Sequence, residues 1–133
     1  MEGRRVLADT SLFIEHLRAK DKTITTLYRL TRSVRIETCA IVAAEIFYGA
    51  RSVRAEQQAR SVLLPFIIHP FTAAMAGRQC AVMQGFAEAN CVPDIRDVMI
   101  AATALELSLP VATLNRRHFE RLSAIELISS TEP

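Results

Sequence analysis

Short runs of β-branched and apolar residues alternate along this chain with longer stretches of helical periodicity, and that alternation narrows the fold more than any other feature. Arg5–Ala8 is a brief apolar run that stops at Asp9-Thr10-Ser11, the pattern of a strand ending in a helix N-cap. Leu12, Phe13, His16 and Leu17 then follow helical spacing up to the charged stretch Arg18–Lys22. A second helix is expected over Thr23–Thr31, a second strand over Val34–Ile41, and a helix over Val42–Val53 with Ile46, Phe47 and Ala50 on one side. Ala55–Leu64 reads as a helix stopped by Pro65, and Ile67–Pro70 as a short extended piece. Thr72–Asn90 is rich in Ala and Met and reads as helical; Pro93 opens another helix, Asp94–Leu107, which ends before Pro110. Val111–Leu114 and Ile125–Ile128 read as the third and fourth strands, with a short helix about Arg116–Leu122 between them. Strands that alternate with helices build an α/β layer on a largely parallel sheet.

At 133 residues the chain fits one domain with enough material for a core. A hydrophobic share of 50% excludes intrinsic disorder. No repeat, low-complexity tract or linker marks a boundary, and no apolar run reaches membrane-spanning length. MEGRRVLADTS holds only a short apolar run before Asp9, so a signal peptide is not expected. Cys39, Cys80 and Cys91 are odd in number and form no CxxC pair, which disfavours a disulfide framework and a structural zinc site. A soluble protein of the reducing, cytoplasmic compartment is the expectation. The net charge of +2 is too small to announce a nucleic-acid binder. Arg makes up nearly all of the positive charge, Lys20 and Lys22 being the exceptions; Arg suits bidentate phosphate contacts, and a GC-rich genome produces the same bias.

Three acids stand in unusual company. Asp9 follows Val6-Leu7-Ala8 at the carboxyl end of the first strand, the edge where open α/β sheets bind ligands, although Asp ahead of Thr10-Ser11-Leu12 is also a good N-cap. Glu45 is the sole charge between Thr38 and Ala50. It is either a buried carboxylate that needs a cation or a Glu on a narrow solvent-facing stripe. Asp97 opens an uncharged, Ala-rich run that lasts to Glu106, and with Asp94 as N-cap it imitates a capping box. Carboxylates that converge at helix starts beside a parallel sheet repel one another unless a cation sits between them. Their oxygens are the ligands that Mg²⁺ and Mn²⁺ prefer. The residues thus point to metal-assisted phosphoryl transfer or a nuclease.

VLADTSLFI resembles the opening of the PIN domain, in which a catalytic Asp follows a strand and precedes Thr-Ser. AAEIFYGA resembles its second block, with Glu45 followed by Gly49, and DVMIAATALELSLPVATLNRRHFERL resembles the third and fourth. Order, spacing and length are similar to the VapC-type toxins, from Arg5 to Ile128. The resemblance implies a three-layer α/β/α sandwich with a mostly parallel central sheet. It also implies a ribonuclease whose acids Asp9, Glu45 and Asp97 hold Mg²⁺ or Mn²⁺ and cut RNA. By the same resemblance Thr10 or Ser11 and Thr113 orient ligands or water through their hydroxyls, and Asn115 matches the Asn of the fourth block. A small antitoxin partner and a homodimer with paired active sites are implied in the same way.

One residue departs from that pattern. Where the family carries a fourth acid, this chain has His118. His118 is either peripheral, a sign of one metal held by three carboxylates with the second-metal side altered, or itself a ligand. Asp94 is better read as a cap than as a replacement carboxylate. Arg116, Arg117 and Arg121 follow the fourth block and are candidates for steering RNA phosphates, or they form a solvated helix face. Two other classes stay in play: a PIN-like RNA-binding or assembly module with little or no catalysis, and a metal-dependent phosphatase. The second is weakened because Asp9-Thr10-Ser11 lacks the Asp-x-Asp that aspartyl-phosphate phosphatases use.

Overall fold

A computed structural model describes residues 3–86, 93–122 and 124–128. Five parallel strands form one sheet in the order β3-β2-β1-β4-β5, with helices flanking it in the α/β/α arrangement. The strands are β1 (Arg5–Ala8), β2 (Arg35–Cys39), β3 (Ile67–His69), β4 (Val111–Ala112) and β5 (Leu127–Ile128). The helices are α1 (Thr10–Arg18), α2 (Thr26–Thr31), α3 (Ala40–Gly49), α4 (Val53–Leu63), α5 (Ala73–Phe86) and α6 (Ile95–Leu107), with 3₁₀ turns at Lys22–Ile24 and Arg116–His118. Parallel neighbours cannot be joined by hairpins, so the chain crosses over between them, and the helices occupy those crossovers. Both faces of the sheet are covered, and β1 accordingly buries Val6, Leu7 and Ala8 in succession. Around them pack Leu12 and Phe13 of α1, Val42 and Ile46 of α3, and Ile100, Ala101 and Ala104 of α6. Phe13 meets Phe66 edge to face at 5.7 Å between ring centroids.

Several boundaries differ from the sequence expectation, each for a physical reason. β2 ends at Cys39 and α3 runs from Ala40 to Gly49, so Ile41 and Val42 belong to a helix and not to a strand. Both are β-branched, but both bury against the core from the first turn, and that burial outweighs their strand preference. The expected helix Thr23–Thr31 divides: Asp21 caps the 3₁₀ turn, and the Thr25 hydroxyl accepts from Tyr28 N to begin α2. Ile67–His69 is a full edge strand, which makes five strands rather than four. β4 and β5 are two-residue strands, shorter than the runs that suggested them, and the short helix after β4 is a single 3₁₀ turn. Helix α5 is described to Phe86; the rest of the expected Thr72–Asn90 helix, and Cys91, lie outside the described residues. Cys39 and Cys80 are free thiols. Among the described residues no helix is long and apolar enough to cross a membrane.

One buried acid lies in the sheet itself. Glu37 of β2 is 1% exposed and accepts from Arg5 Nε and Nη2 at 2.6 and 2.9 Å and from His69 Nε2 at 2.5 Å. This cluster links β1, β2 and β3 by their side chains, and the Arg5 guanidinium holds the Glu37 carboxyl down at about 2 despite its burial.

Candidate active site

A cleft of about 400 Å³ opens at the carboxyl ends of β1 and β4, beside the first turns of α1 and α6. Asp9, Glu45, Asp94 and Asp97 all line it, together with Glu15, Thr10, Ser11, Asn115 and His118. A carboxylate reaches this edge from β1 because Asp9 is the N-cap of α1, the first residue after the strand. Its N–H donates to the Ala112 carbonyl at 3.1 Å, which continues the β1–β4 ladder one step beyond the strands.

Asp9 is 5% exposed, and each of its oxygens is held. Oδ1 accepts from Ser11 N at 3.0 Å and Ser11 Oγ at 2.5 Å; Oδ2 accepts from Thr113 Oγ1 at 2.5 Å. Both hydroxyls also work in the other direction. Ser11 Oγ accepts from Leu114 N, and Thr113 Oγ1 accepts from Asn115 N, each at 2.9 Å. The hydroxyls therefore tie the turn after β4 onto the Asp9 carboxylate and fix the orientation of all three elements. Burial raises the Asp9 pKa, and the Ser11 and Thr113 bonds oppose that rise.

Glu45 lies midway along α3, a quarter exposed, so it is neither sealed in the core nor on a free stripe. Its Oε1 accepts from Thr10 Oγ1 at 2.9 Å, and its Oε2 lies 3.7 Å from Arg96 Nη1. Asp97, in the first turn of α6, has Oδ2 3.2 Å from His118 Nδ1. Its pKa is raised: burial contributes most, His118 opposes it, and Asp94, Glu45 and Asp9 all push it upward. That repulsion is the electrostatic signature of acids sharing one space. Asp94 behaves as the cap expected of it, accepting from Arg96 N at 2.8 Å, and its grip on the Arg96 side chain holds its own pKa down. Glu15 is committed elsewhere, since its Oε1 accepts from Thr26 N and so caps α2.

The arginines after the fourth block sit apart from the cleft lining. Arg116 Nη1 donates to the Ile128 carbonyl at 3.3 Å, and the Arg121 guanidinium lies 4.8 Å from the Phe86 ring centre. The cations that do line the cleft are Arg18, Arg96 and, when protonated, His118. No motif in the sequence marks Arg96. The available signal was an Arg wedged between Asp94 and Asp97 at a helix N-terminus, where the helix dipole disfavours positive charge.

The donor set of the cleft is made of hard carboxylate oxygens, which suits Mg²⁺ or Mn²⁺. Among the described residues no three His, Cys, Asp or Glu side chains converge on one point as they stand. Mg²⁺ keeps several waters and needs only one or two direct carboxylates, so the donor chemistry still fits.

A fold with a parallel sheet and acids gathered at its carboxyl edge defines a class of α/β proteins, and the comparisons narrow it. The family model of the PIN domain matches residues 6–125, and the chain belongs to the PIN domain family. Among solved structures, DNA-bound VapBC from Salmonella typhimurium superposes with a TM-score of 0.79 at 24% identity, covering 96% of this chain and 98% of that one. VapBC-1 from nontypeable Haemophilus influenzae gives 0.78 at 18% identity over 99% and 100% of the two chains. VapC20 of Mycobacterium tuberculosis, described as a sarcin–ricin loop cleaving toxin, gives 0.60 at 18% identity over 80% and 86%. No curated protein sequence matches the chain.

Proposed function

We propose that this protein is a divalent-metal-dependent endoribonuclease and the toxin of a toxin–antitoxin pair. One observation carries the nuclease reading: Asp9, Glu45 and Asp97, from three different elements, line one cleft, and burial together with these acidic neighbours pushes the Asp97 carboxyl up. Burial of such mutual repulsion costs stability unless the site serves a cation. Asp9, Glu45 and Asp97 would hold it. A bound Mg²⁺ or Mn²⁺ supplies Lewis acidity for the phosphoryl oxygens and for the leaving oxygen of the phosphodiester.

The chain's own residues do the positioning. Ser11 and Thr113 lock Asp9 in one rotamer, and Thr10 holds Glu45 toward the cleft. Asn115 lies on the cleft wall, placed by its own N–H on Thr113, where its amide is available to a ribose or phosphate oxygen. His118 stands against Asp97 and restrains it, at the position where the sequence resemblance would place a fourth acid. Arg116 and Arg117 are left to a peripheral role in drawing RNA toward the cleft.

The antitoxin reading rests on the solved neighbours, among which a toxin–antitoxin complex from Klebsiella pneumoniae stands beside the VapBC structures from Salmonella and Haemophilus. A homodimer with paired active sites accompanies it. The test is incubation of a total-RNA pool with Mg²⁺, Mn²⁺ or chelator, with the new ends mapped. Metal-dependent fragments that Asp97→Asn fails to produce support the reading. Growth arrest on expression, relieved by a protein from a neighbouring short reading frame, supports the toxin assignment. A second reading, a PIN-like RNA-binding module with little catalysis, is favoured by the His118–Asp97 contact. It predicts RNA binding without fragments under every metal.

A further inference from the structure

Arg96 is the most tightly engaged cation on the cleft wall, and its two grips are unequal. Asp94 holds it with Oδ1 3.2 Å from Nε and Oδ2 3.1 Å from Nη2, while Glu45 Oε2 stands off Nη1 at 3.7 Å. Asp94 is itself fixed, because the same Oδ1 caps α6 through Arg96 N at 2.8 Å. The guanidinium thus has a firm pivot on its Nε side and a loosely held fork on the other. That fork lies against a carboxylate which the nuclease reading assigns to the metal. Glu45 cannot serve a metal ion and Arg96 equally well, since both compete for the same oxygen charge.

We propose that Arg96 is a built-in counter-cation of the metal-free cleft, and that once the metal claims Glu45 the released guanidinium, still anchored on Asp94, takes an RNA phosphate beside the bond to be cut. The inference rests on the nuclease reading and adds a substrate-positioning residue to it. A planar guanidinium with a free edge matches a phosphate bidentately. Its exposure of 59% leaves that edge reachable from solvent. Among the described residues Arg18 is the only other Arg or Lys on the cleft wall, so Arg96 is half of the permanent positive charge that RNA meets there.

The test compares wild type, Arg96→Met and, as a charge control, Arg78→Met; Arg78 pairs with Glu106 on the α5–α6 surface and does not line the cleft. Mn²⁺ affinity is measured by calorimetry without RNA. Binding of a labelled single-stranded RNA is followed by anisotropy over a salt series with Ca²⁺ in place of Mn²⁺, with the RNA confirmed intact on a gel. Arg96→Met should bind Mn²⁺ about threefold tighter, the size of a partly exposed ion pair removed from competition. The same variant should bind RNA roughly tenfold more weakly, with a salt slope shallower by about 0.7, one phosphate contact on a single strand. Arg78→Met should change neither. The proposal is overturned if Arg96→Met leaves either affinity unchanged, or if Arg78→Met shifts both equally. Failure of the wild type to bind Mn²⁺ at all removes the nuclease reading and this one together, whereas wild-type metal binding and cleavage with an indifferent Arg96→Met removes this one alone.

Discussion

Each oxygen of Asp9 already has a donor, whereas Asp97 has one imidazole and three repelling carboxylates, so the two acids respond differently to substitution. A carboxyl whose pKa is raised by folding opposes the fold in its charged form. That penalty is absent below its ordinary pKa near 3.8 and develops as pH rises through the higher folded value. Asp97→Asn should therefore be more stable than the metal-free wild type at neutral pH, and the advantage should vanish in acid. Urea unfolding at pH 7 and pH 3.5 checks this, and a variant as stable as the wild type at both would argue that the charged Asp97 carries no such penalty. Cleavage by the same variant should fall by at least about 100-fold, beyond the usual loss for residues that only support ligands. Thr113→Val belongs to the opposite case. It strips a hydroxyl that donates to Asp9 Oδ2 and accepts from Asn115 N, leaving a buried carboxylate oxygen without its donor. It should cost roughly 1–3 kcal/mol in urea unfolding. Cleavage should fall as well, because Asp9 and the turn bearing Asn115 are no longer locked together.

At the scale of elements, the edge of the sheet depends on one charge. β3 is a three-residue strand, and besides its backbone ladder its His69 reaches Glu37, which also takes both available limbs of Arg5 from β1. Glu37 is held at about 2 in the fold against an ordinary value of 4.5. A depressed acid contributes stability that is present above pH 4.5 and is lost as pH falls toward 2. Glu37→Gln should lose on the order of 3 kcal/mol at pH 7, since it leaves the Arg5 guanidinium beside a buried neutral group. Arg5 is 43% exposed, and this partial screening keeps the loss from being larger. Unfolding midpoints of wild type and variant should converge between pH 4.5 and 2; a gap that stays constant would show the charge to be irrelevant. The sequence carried the order of the elements and the place of Asp9, Glu45 and Asp97, because strand–helix alternation and isolated acids in apolar runs are local signals. It did not carry the boundary at Ala40, where Ile41 and Val42 look like strand until the core they fill is known. Nor did it show the Glu37 cluster, whose three members are far apart in sequence and meet only through strand register. Arg96 escaped for a related reason: its partner Glu45 lies on another helix.

Over the whole molecule, 16 basic residues nearly balance 14 acidic ones, yet the balance is not local. Among the described residues five acids line the cleft with two arginines, and the other arginines lie elsewhere. A polyanion approaching that cleft meets net repulsion until a divalent ion offsets it, so metal binding should govern both stability and RNA capture. A ligand that binds only the folded chain adds RT ln(1 + [L]/Kd), about 2.7 kcal/mol at a hundredfold excess over Kd. For a chain of this length that corresponds to a rise in melting temperature on the order of 10 °C. We expect Mn²⁺ or Mg²⁺ to raise the melting temperature of the RNA-free protein by this amount in a concentration-dependent way, chelator to reverse it, and Asp97→Asn to abolish most of it. RNA affinity measured across the same titration should climb with metal occupancy, because neutralising the carboxylates removes the repulsion that RNA otherwise meets. Scanning calorimetry with and without metal, paired with RNA anisotropy, decides the matter. A melting temperature indifferent to divalent ions up to millimolar concentration, with RNA bound equally well in chelator, would mean that the acidic cleft has no cation to serve and that RNA is held by the arginines outside it.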